Sequence, residues 1–388
     1  MHGLEALLKQ TARNSGAIGA GIANRERLLQ SPPSANPDYL LSSTRSAISF
    51  AVAIDRQILR RSLGRELWLE HGEELKRVQQ RLYAIGDNLV ELLTEHGFDA
   101  VAVDGNDTYR PQNGVSDPLD MTEFVPDFSH RYGAVAAGLG RLGWSGNLLT
   151  PGHGATIILG TVLTSATLEP DPLMQENPCD RCKLCTSVCP VEMMSPRDSV
   201  EVVVAGITEV IGRKQPNTRC WVSCGGYQGL HRSGKWSNWS PYRVAKPVPE
   251  DKKSIDSLLI ELRKMDPEEH QATSPFADYR VTTFDPDWRF LATCGNCANV
   301  CWERREDRVG NRRLLVASGQ VVLRANGLRE PASGEIVELE TPFGIKVTVL
   351  GDEYKSGAFT RPSSADAPGY TFMDREVLKH LAAISPSL

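Results

Sequence analysis

The cysteine thiols are the side chains whose spacing in this sequence points most directly to chemistry. All nine cysteines of the 388-residue chain lie between positions 179 and 301. Four of them form the run Cys179, Cys182, Cys185 and Cys189, with Pro190 directly after it. Three thiolates separated by two residues can wrap around one iron–sulfur cube, and a fourth after three further residues points toward a second cube. The run therefore predicts two [4Fe–4S] clusters that pass single electrons.

A second cysteine group has the reciprocal spacing that a two-cluster protein needs. Cys294 and Cys297 are separated by two residues, and Cys301 follows after three more. The last cysteine of each group is expected to bind the other group's cluster. We therefore assign the first cluster to Cys179, Cys182, Cys185 and Cys301. The second cluster takes Cys189, Cys294, Cys297 and one thiol of a middle pair, of which Cys220 is favoured and Cys224 is the alternative.

Two other roles for the cysteines fit the sequence less well. An odd number of cysteines packed into the middle of a chain argues against a disulfide framework. A zinc site uses four ligands, commonly from paired Cys-x-x-Cys turns. A four-ligand zinc site would leave several thiols of the two groups without a metal. Zinc binding also gives no reason for the proline that ends the first run.

The composition is that of an ordinary globular protein and narrows the class of partner. The chain is 40% hydrophobic and 23% charged, and its net charge of −5 gives no support for broad nucleic-acid or membrane binding. No apolar run approaches the roughly 18 residues that span a bilayer. The first ten residues lack the apolar segment of a signal peptide. A cytoplasmic protein is the expectation.

The first 175 residues alternate between helix and strand patterns. Ser46–Ile54 is β-branched and apolar, which predicts a strand, and apolar residues at helical spacing predict a long helix from Glu73 to His96 that ends at Gly97. The other elements predicted here are a helix over Leu4–Ala12 and strands over Phe98–Val103 and Thr156–Leu163. The pattern predicts a layer of helices packed on a sheet.

A glycine-rich stretch at 136–154 stands between these elements and the first cysteine run. Gly138, Gly140, Gly143 and Gly146 are too dense for a helix interior and suit a backbone that lies against a flat ligand. Tight turns without a ligand are the alternative. Three of these glycines match the spacing of a dinucleotide-binding fingerprint, but that fingerprint follows a strand, and His130–Ala137 is predicted to be helical.

The chain beyond the cysteines is predicted to be rich in β-structure. The alternating charges directly after Cys301 indicate a solvated helix. Residues 314 to 350 then alternate between apolar and polar side chains. Strands are predicted over Val321–Arg324, Ile336–Glu340 and Lys346–Leu350, followed by a helix over Asp374–Ala383. A further polar helix is predicted over Ser254–Lys264.

Three passages of the sequence resemble one known group of enzymes. They are LLSSTRSAISFAVAID, the longer AAGLGRLGWSGNLLTPGHGATIILGTVLTSATLEPD, and the cysteine run that follows it. Together they resemble the cobalamin-dependent, two-cluster reductases that include epoxyqueuosine reductase and the reductive dehalogenases. The likeness extends over about residues 1 to 310.

The resemblance implies an α+β architecture. A nitroreductase-like, corrinoid-binding domain would occupy residues 1–175. A ferredoxin-like domain with two clusters would occupy 176–312, with an insert at about 226–290, and a β-rich C-terminal extension 313–388. In such proteins the corrinoid is bound base-off at the domain junction, near the first cluster. Matching the glycine segment implies that the corrinoid lies near Gly138, Gly140, Leu142, Gly143, Trp144, Ser145, Thr150 and Gly154.

The expected reaction is reductive cleavage of a C–X, C–O or C–S bond in a small organic substrate. Such a step needs two electrons and usually a proton, and Tyr109, Asp127 and His130 are the candidate catalytic proton donors. Arg131 could hold a carboxylate or phosphate. An external carrier such as ferredoxin or flavodoxin would supply the electrons.

Three alternatives stay open at this point. The first is an epoxyqueuosine reductase that acts on tRNA. The position where that group has its presumed proton-donating aspartate is Phe124 here, and the pair His130-Arg131 is closer to the dehalogenases. The second is an electron-transfer or corrinoid-reactivating protein without its own substrate. The third is a flavin or nicotinamide enzyme on the nitroreductase-like domain.

Overall fold

The computed structural model of the chain is a mixture of helices and sheets. It describes residues 3–64, 66, 69–105, 109–111, 124–215, 217–224, 229, 231–233, 235–238, 294–318, 336–340 and 346–350. The elements predicted over Ser254–Lys264, Val321–Arg324 and Asp374–Ala383 lie outside these residues. Within them, no helix is both long and apolar enough to cross a membrane.

The helices and strands are named in chain order. The α-helices are α1 (Leu4–Asn14), α2 (Arg25–Leu29), α3 (Arg56–Leu63), α4 (Leu69–Glu95), α5 (His130–Ala136), α6 (Leu184–Ser187), α7 (Asn217–Cys224), α8 (Asn296–Asn299) and α9 (Arg305–Ala317). The strands are β1 (Gly19–Asn24), β2 (Ser46–Ala53), β3 (Ala100–Ala102), β4 (Tyr109–Pro111), β5 (Phe124–Pro126), β6 (Arg141–Leu142), β7 (Leu148–Leu149), β8 (Ile157–Thr164), β9 (Met194–Val204), β10 (Ile207–Lys214), β11 (Ile336–Glu340) and β12 (Lys346–Leu350). Short 3-10 turns cover Pro33–Ala35 and Pro37–Tyr39.

A four-stranded antiparallel sheet forms the centre of the N-terminal region, in the order β1-β2-β8-β3. Strand β2 is buried on both faces, which explains why its sequence is apolar throughout rather than alternating. Helices α1 and α4 pack on one face, where Leu8, Phe50 and Leu89 are fully or almost fully buried in one apolar core. Helix α5 covers the other face together with Phe128.

Most elements predicted for this region are confirmed. Helices α1 and α4, strands β2, β3 and β8, and the helix at α5 all lie where the pattern placed them, within a few residues. Gly97 follows α4 with a φ of +80°, in the left-handed region expected of a residue that ends a helix. Strands β11 and β12 have the predicted bounds, and the helix after Cys301 is α9.

The long hairpin of β9 and β10 was not predicted. Strand β9 contains a proline and three charged residues, which hide its strand pattern. The turn between the strands is Ala205-Gly206, with φ values of 52° and 78°. These left-handed conformations suit a two-residue hairpin turn, but Ala-Gly lacks the asparagine or aspartate by which such turns are usually found.

The hairpin packs on the glycine-rich stretch and on α5. Leu142 and Leu148 of β6 and β7 share an apolar core with Ala134, Val204 and Ile211. A buried ion pair joins the same two regions, because Glu209 of β10 accepts hydrogen bonds from the Arg141 guanidinium at 2.7 Å and from the Leu142 backbone N–H at 3.1 Å. The boundaries predicted near residues 175 and 312 stay predictions.

Candidate metal centre

The first thiol group consists of Cys179, Cys182, Cys185 and Cys301, and all four residues line one cavity. The loop before α6 brings three of them to the cavity because Arg181 and Lys183 both have positive φ values, 53° and 58°. These left-handed residues reverse the chain direction over a short distance. Cys301 comes from the segment after α8, more than a hundred positions later in the sequence.

The glycine-rich stretch forms one wall of this cavity. Gly143, Trp144 and Ser145 line it, and the Trp144 backbone N–H donates to the Cys179 sulfur at 3.4 Å. A β-carbon at position 143 would lie 3.6 Å from the same sulfur and much closer to Leu149. Glycine at 143 therefore lets the backbone approach the first thiol group closely enough to donate a hydrogen bond.

An ion pair holds the rim of the first thiol group. Asp180 accepts from the Cys182 backbone N–H at 3.1 Å and contacts Arg308 at 2.6 Å and Arg305 at 3.3 Å. Arg308 belongs to α9 and is only 4% exposed. The pair therefore fastens the loop of the first three cysteines to the helix that follows Cys301.

The first thiols are held in surroundings that oppose ionisation. Burial raises the pKa of Cys185 above its ordinary value, and the neighbouring thiols raise it further. Burial also raises the pKa of Cys301 to about 12. Thiols of this kind become thiolates when a bound metal supplies positive charge.

The second thiol group consists of the other five cysteines, namely Cys189, Cys220, Cys224, Cys294 and Cys297. Helix α7 contributes the middle pair, whose sulfur atoms lie 3.5 Å apart. Burial raises the pKa of Cys189, and Cys294, Cys297 and Cys220 are close enough to contribute. Cys297 also raises the pKa of Cys185, so the two groups lie side by side.

The two middle cysteines occupy different positions within the second group. Cys220 and Cys297 pack against an apolar cluster that contains Cys189. Cys224 is hydrogen-bonded to Cys294 as well as to Cys220. Both candidates for the eighth ligand are therefore brought to the site, and the preference for Cys220 stays a prediction.

Polar donors surround Cys294. Hydrogen bonds from Cys224, and further ones involving Asn296, Asn238 and Ser223, lower the pKa of the Cys294 thiol to about 6. The Asn238 amide also donates to the Ser223 hydroxyl at 2.9 Å, and both residues are buried. Neither Ser223 nor Asn238 was predicted, because nothing in the local sequence marks them.

Two cations face the same group. Lys214 is the last residue of β10 and Arg131 the second residue of α5, and both are partly exposed to solvent. The two cations meet at Gly146, whose carbonyl accepts from Arg131 at 3.3 Å and where a β-carbon would lie 2.6 Å from the Lys214 ammonium nitrogen. Burial and Arg131 lower the pKa of the Lys214 ammonium to about 8, whereas Cys297 and Cys220 act to raise it. Asn147 adds a donor, since its amide is 3.5 Å from the Cys297 sulfur.

These residues fit iron–sulfur clusters. Four thiols on the walls of one cavity are the ligand set of a [4Fe–4S] cube, and the second group offers five thiols for another. The nine cysteines, all of them described, form no disulfide. Among the described residues, no three His, Cys, Asp or Glu side chains are grouped so as to hold a single metal ion.

The residues predicted to lie near a corrinoid are packed mainly against the chain itself. A β-carbon on Gly138, Gly140 or Gly154 would collide with the backbone of Pro172, Leu149 or Cys301. Packing alone accounts for these three glycines. Leu142, Trp144, Ser145 and Thr150 are buried, and the Thr150 hydroxyl has no hydrogen-bond partner among the described atoms. The corrinoid contacts therefore stay predictions. Among these described residues, the Thr150 hydroxyl is a buried polar group whose hydrogen-bonding capacity is unused.

The candidate proton donors lie along one segment. Tyr109 pairs with Pro126 across β4 and β5, which brings its backbone next to half-buried Asp127. His130 is buried, and its ring nitrogens contact the Thr161 hydroxyl at 3.0 Å and the Asp104 carbonyl at 2.9 Å. Burial lowers its pKa. Both ring nitrogens are engaged in the core, as in a structural histidine, and the role of Tyr109, Asp127 or His130 as proton donor stays a prediction.

Comparison with known proteins supports the resemblance over part of the chain. No protein-family model matches. A stretch of 57 residues is 42% identical to epoxyqueuosine reductase from Synechococcus sp. (strain RCC307), which is 15% of this chain and 18% of that protein. The likeness to this group of reductases is confirmed over that stretch. The match spans less than a fifth of the relative's length.

Solved structures of the same group show distant similarity. A catabolic reductive dehalogenase in complex with 3-bromo-4-hydroxybenzoic acid is 16% identical with a TM-score of 0.40, over 54% of this chain and 28% of that one. Epoxyqueuosine reductase with a tRNA-Tyr stem loop is 18% identical with a TM-score of 0.36, over 59% and 58%. At these values the likeness supports no argument about this chain.

Proposed function

We propose that this protein is an iron–sulfur and corrinoid-dependent reductase that cleaves a C–X, C–O or C–S bond of a small organic substrate. The observation that supports the proposal best is the convergence of Cys179, Cys182, Cys185 and Cys301 on one cavity whose wall is the glycine-rich stretch. That arrangement joins the electron-transfer motif to the segment that resembles corrinoid-binding proteins. The named relative is itself a reductase.

In this proposal the cysteines bind the two clusters through which electrons pass. The first thiol group would bind one [4Fe–4S] cluster, and Cys189, Cys220, Cys294 and Cys297 would bind the other. The clusters would supply one-electron transfers at low potential. Because the two thiol groups lie side by side, electrons could pass between them over a short distance. A ferredoxin or flavodoxin is the proposed donor.

The remaining roles concern the proton and the substrate. A corrinoid, when bound, would supply a cobalt centre that collects electrons one at a time and delivers two. Asp127 is the proposed proton donor, because it is half-buried beside the strand of Tyr109. Arg131 would hold an anionic group of the substrate, since it is exposed and lies near Cys220 and Cys297 of the second thiol group.

An epoxyqueuosine reductase acting on tRNA is the second candidate, and the 57-residue match to that enzyme favours it. A third candidate is an electron-transfer protein without its own substrate. The packing of Gly138, Gly140 and Gly154 against the chain's own backbone favours that one.

Cofactor analysis tests the proposal first. The protein is produced with cobalamin supplied, purified without oxygen, and analysed for iron, sulfide, cobalt and its absorption spectrum. We expect about eight irons per chain, because two cubes hold four each, and about one base-off cobalamin. A Cys185→Ser variant should lose about half of the iron. Iron without corrinoid uptake would contradict the reductase and leave the electron carrier.

Turnover assays then separate the two reductases. The reduced holoprotein is offered aryl halides, small epoxides, and a tRNA stem loop that carries epoxyqueuosine. Reduction of a small substrate supports the proposal, and exclusive activity on the stem loop assigns the protein to the tRNA candidate. An Asp127→Asn variant should lose activity while it keeps its iron and cobalt. A surface variant such as Glu306→Gln should keep both its activity and its metals.

A further inference from the structure

The two thiol groups differ in how their negative charge is balanced. A cube with four thiolate ligands is a net anion and gains another negative charge on reduction, so nearby cations and hydrogen bonds to sulfur raise its reduction potential. The cations and hydrogen-bond donors at each site therefore determine which cluster is reduced first.

Few such groups face the first thiol group. The Trp144 backbone N–H donates to Cys179, and Arg308 lines the cavity. That arginine is neutralised by Asp180 at 2.6 Å. Lys183 is the unpaired cation there, among the residues described, and its ammonium lies 4.2 Å from the centre of the Trp144 ring.

The second thiol group has more of them. Lys214 and Arg131 face it together, and in the described part of the chain neither has a carboxylate within salt-bridge distance. Among the described residues, Arg131 donates to the Gly146 carbonyl at 3.3 Å, and a β-carbon on the same glycine would lie 2.6 Å from the Lys214 ammonium nitrogen. Two like charges placed together repel each other, so their placement is costly unless an anion lies beside them. A thiolate-bound cube would be that anion.

Hydrogen bonds to sulfur add to the difference. The Asn147 amide contacts Cys297, and Cys294 is hydrogen-bonded with Cys224, Ser223 and Asn238. All four donors lie outside the proposed ligand set, and each stabilises negative charge on the sulfur.

We infer that Lys214 and Arg131, with the donors on Cys294 and Cys297, hold the second cluster at a higher reduction potential than the first. The second cluster is then the one that is reduced first and stores the electron. This inference rests on the proposed pair of clusters and goes beyond it, because it assigns the order in which they fill. Lys214 tunes the potential without binding iron.

Matched lysine variants test the order. The holoprotein, Lys214→Met and Lys183→Met are titrated potentiometrically without oxygen, with electron paramagnetic resonance as the readout and iron counted in each sample. We expect two one-electron steps. Lys214→Met should lower the higher step by the equivalent of roughly tenfold in the reduction equilibrium, about 59 mV for one electron. Lys183→Met should lower the other step and leave the higher one in place.

A second variant guards against a folding artefact. Asn147→Ala removes a donor from Cys297 without a change of charge and should lower the same step as Lys214→Met, by less. If Lys214→Met carries its full iron and shifts the lower step, or shifts neither step, the inference about the order of reduction is wrong while the proposed function stands. Failure of the unaltered protein to load two clusters overturns both the inference and the proposed function.

Discussion

The two thiol groups share a ligand type and a spacing rule but lie in unlike surroundings. The first group is enclosed by Leu149, Val300 and the backbone of 143–145, and its rim cation Arg308 is paired with a carboxylate. The second group is bordered by amides, a hydroxyl and two cations without such a partner among the described residues. Both sites therefore contain buried thiols, and the second site differs in the polar donors around Cys294 and the two cations beside it.

The pKa values of one thiol from each group record this difference in donors. Cys301 and Cys294 are both half-buried. Burial raises the pKa of Cys301 to about 12, whereas hydrogen bonds, that from Cys224 first, lower the pKa of Cys294 to about 6. Identical side chains at similar exposure thus differ because of what they contact. The comparison teaches that a motif specifies the ligands, while neighbouring elements specify the properties of the bound group.

Loss of a ligand should have the largest effect and would assign the second group. Cys220→Ser should lose about half of the iron, because one cube no longer has four ligands, and Cys224→Ser should keep it. The measurement is iron and sulfide content after purification without oxygen. Cys185→Ser serves as a control that removes the other cube. The reverse result for the middle pair would make Cys224 the ligand.

Thiol reactivity in the metal-free protein should differ between Cys294 and Cys301 by about two or more orders of magnitude. Their pKa values of about 6 and about 12 separate the thiolate fractions by roughly 10⁵ at pH 7, and the weaker nucleophilicity of the low-pKa thiolate offsets only part of that factor. Iodoacetamide labelling at pH 7, mapped by mass spectrometry, should modify Cys294 far faster than Cys301. Labelling of Cys294 should rise as the pH climbs through about 6, where its thiol loses the proton.

An Asn238→Ala variant should move that rise in Cys294 labelling to higher pH, because a donor to the thiolate is lost. Equal labelling rates for Cys294 and Cys301 would remove the contrast between the two groups.

The ion pair behind the first thiol group should contribute strongly to stability. Glu209 is fully buried and also accepts from the Asn177 amide at 3.2 Å, two positions before Cys179. Glu209→Ala removes the carboxylate that balances the Arg141 charge and leaves it only the Met174 and Gln175 carbonyls as described acceptors. We expect a loss of about 3–5 kcal/mol in the free energy of unfolding. Urea denaturation of the metal-free protein measures this. Glu209→Gln should lose less free energy of unfolding than Glu209→Ala. A loss below about 1 kcal/mol for the alanine variant would show that the ion pair does not stabilise this part of the fold strongly.

The rim pair of the first thiol group should contribute less. Asp180→Ala removes the partner of Arg308 and an acceptor of the Cys182 N–H, and it should cost about 1–2 kcal/mol because the carboxylate is partly in water. The exposed pair of Lys9 and Asp171 gives the reference, since Lys9→Ala should cost about 0–1 kcal/mol. Equal losses would place the rim pair among ordinary surface ion pairs.

Much of the local structure was predictable because it depends on short-range periodicity. The apolar spacing of α4 and the β-branched run of β2 identify a helix and a strand whatever lies beside them. Strands β1 and β9 were missed, since glycines, a proline and charges interrupt their patterns. Their pairing with neighbouring strands decides their conformation.

The candidate site likewise has a part that was predictable from the sequence and a part that was not. Its cysteines were recognisable from spacing, because the motif places three ligands of one cube within a tight loop and sends the last cysteine of each group to the other cube. The two ring contacts of His130 with the core could not be read from the sequence. The glycines at 138, 140 and 154 could equally face a ligand or the chain until the neighbouring backbone was placed.

By itself, the sequence identified the two thiol groups with the predicted place of Cys301 in the first, the main helices and strands, and the likeness to a group of reductases, because each of these follows from spacing or sequence patterns along the chain. Only the tertiary structure decided that Gly143, Trp144 and Ser145 line the first cavity and that Lys214, Arg131 and Asn238 lie beside the second thiol group. The physical reason is that charge and hydrogen bonding act through space. The groups that tune a site therefore come from strands and helices far apart in sequence, where no local pattern records them.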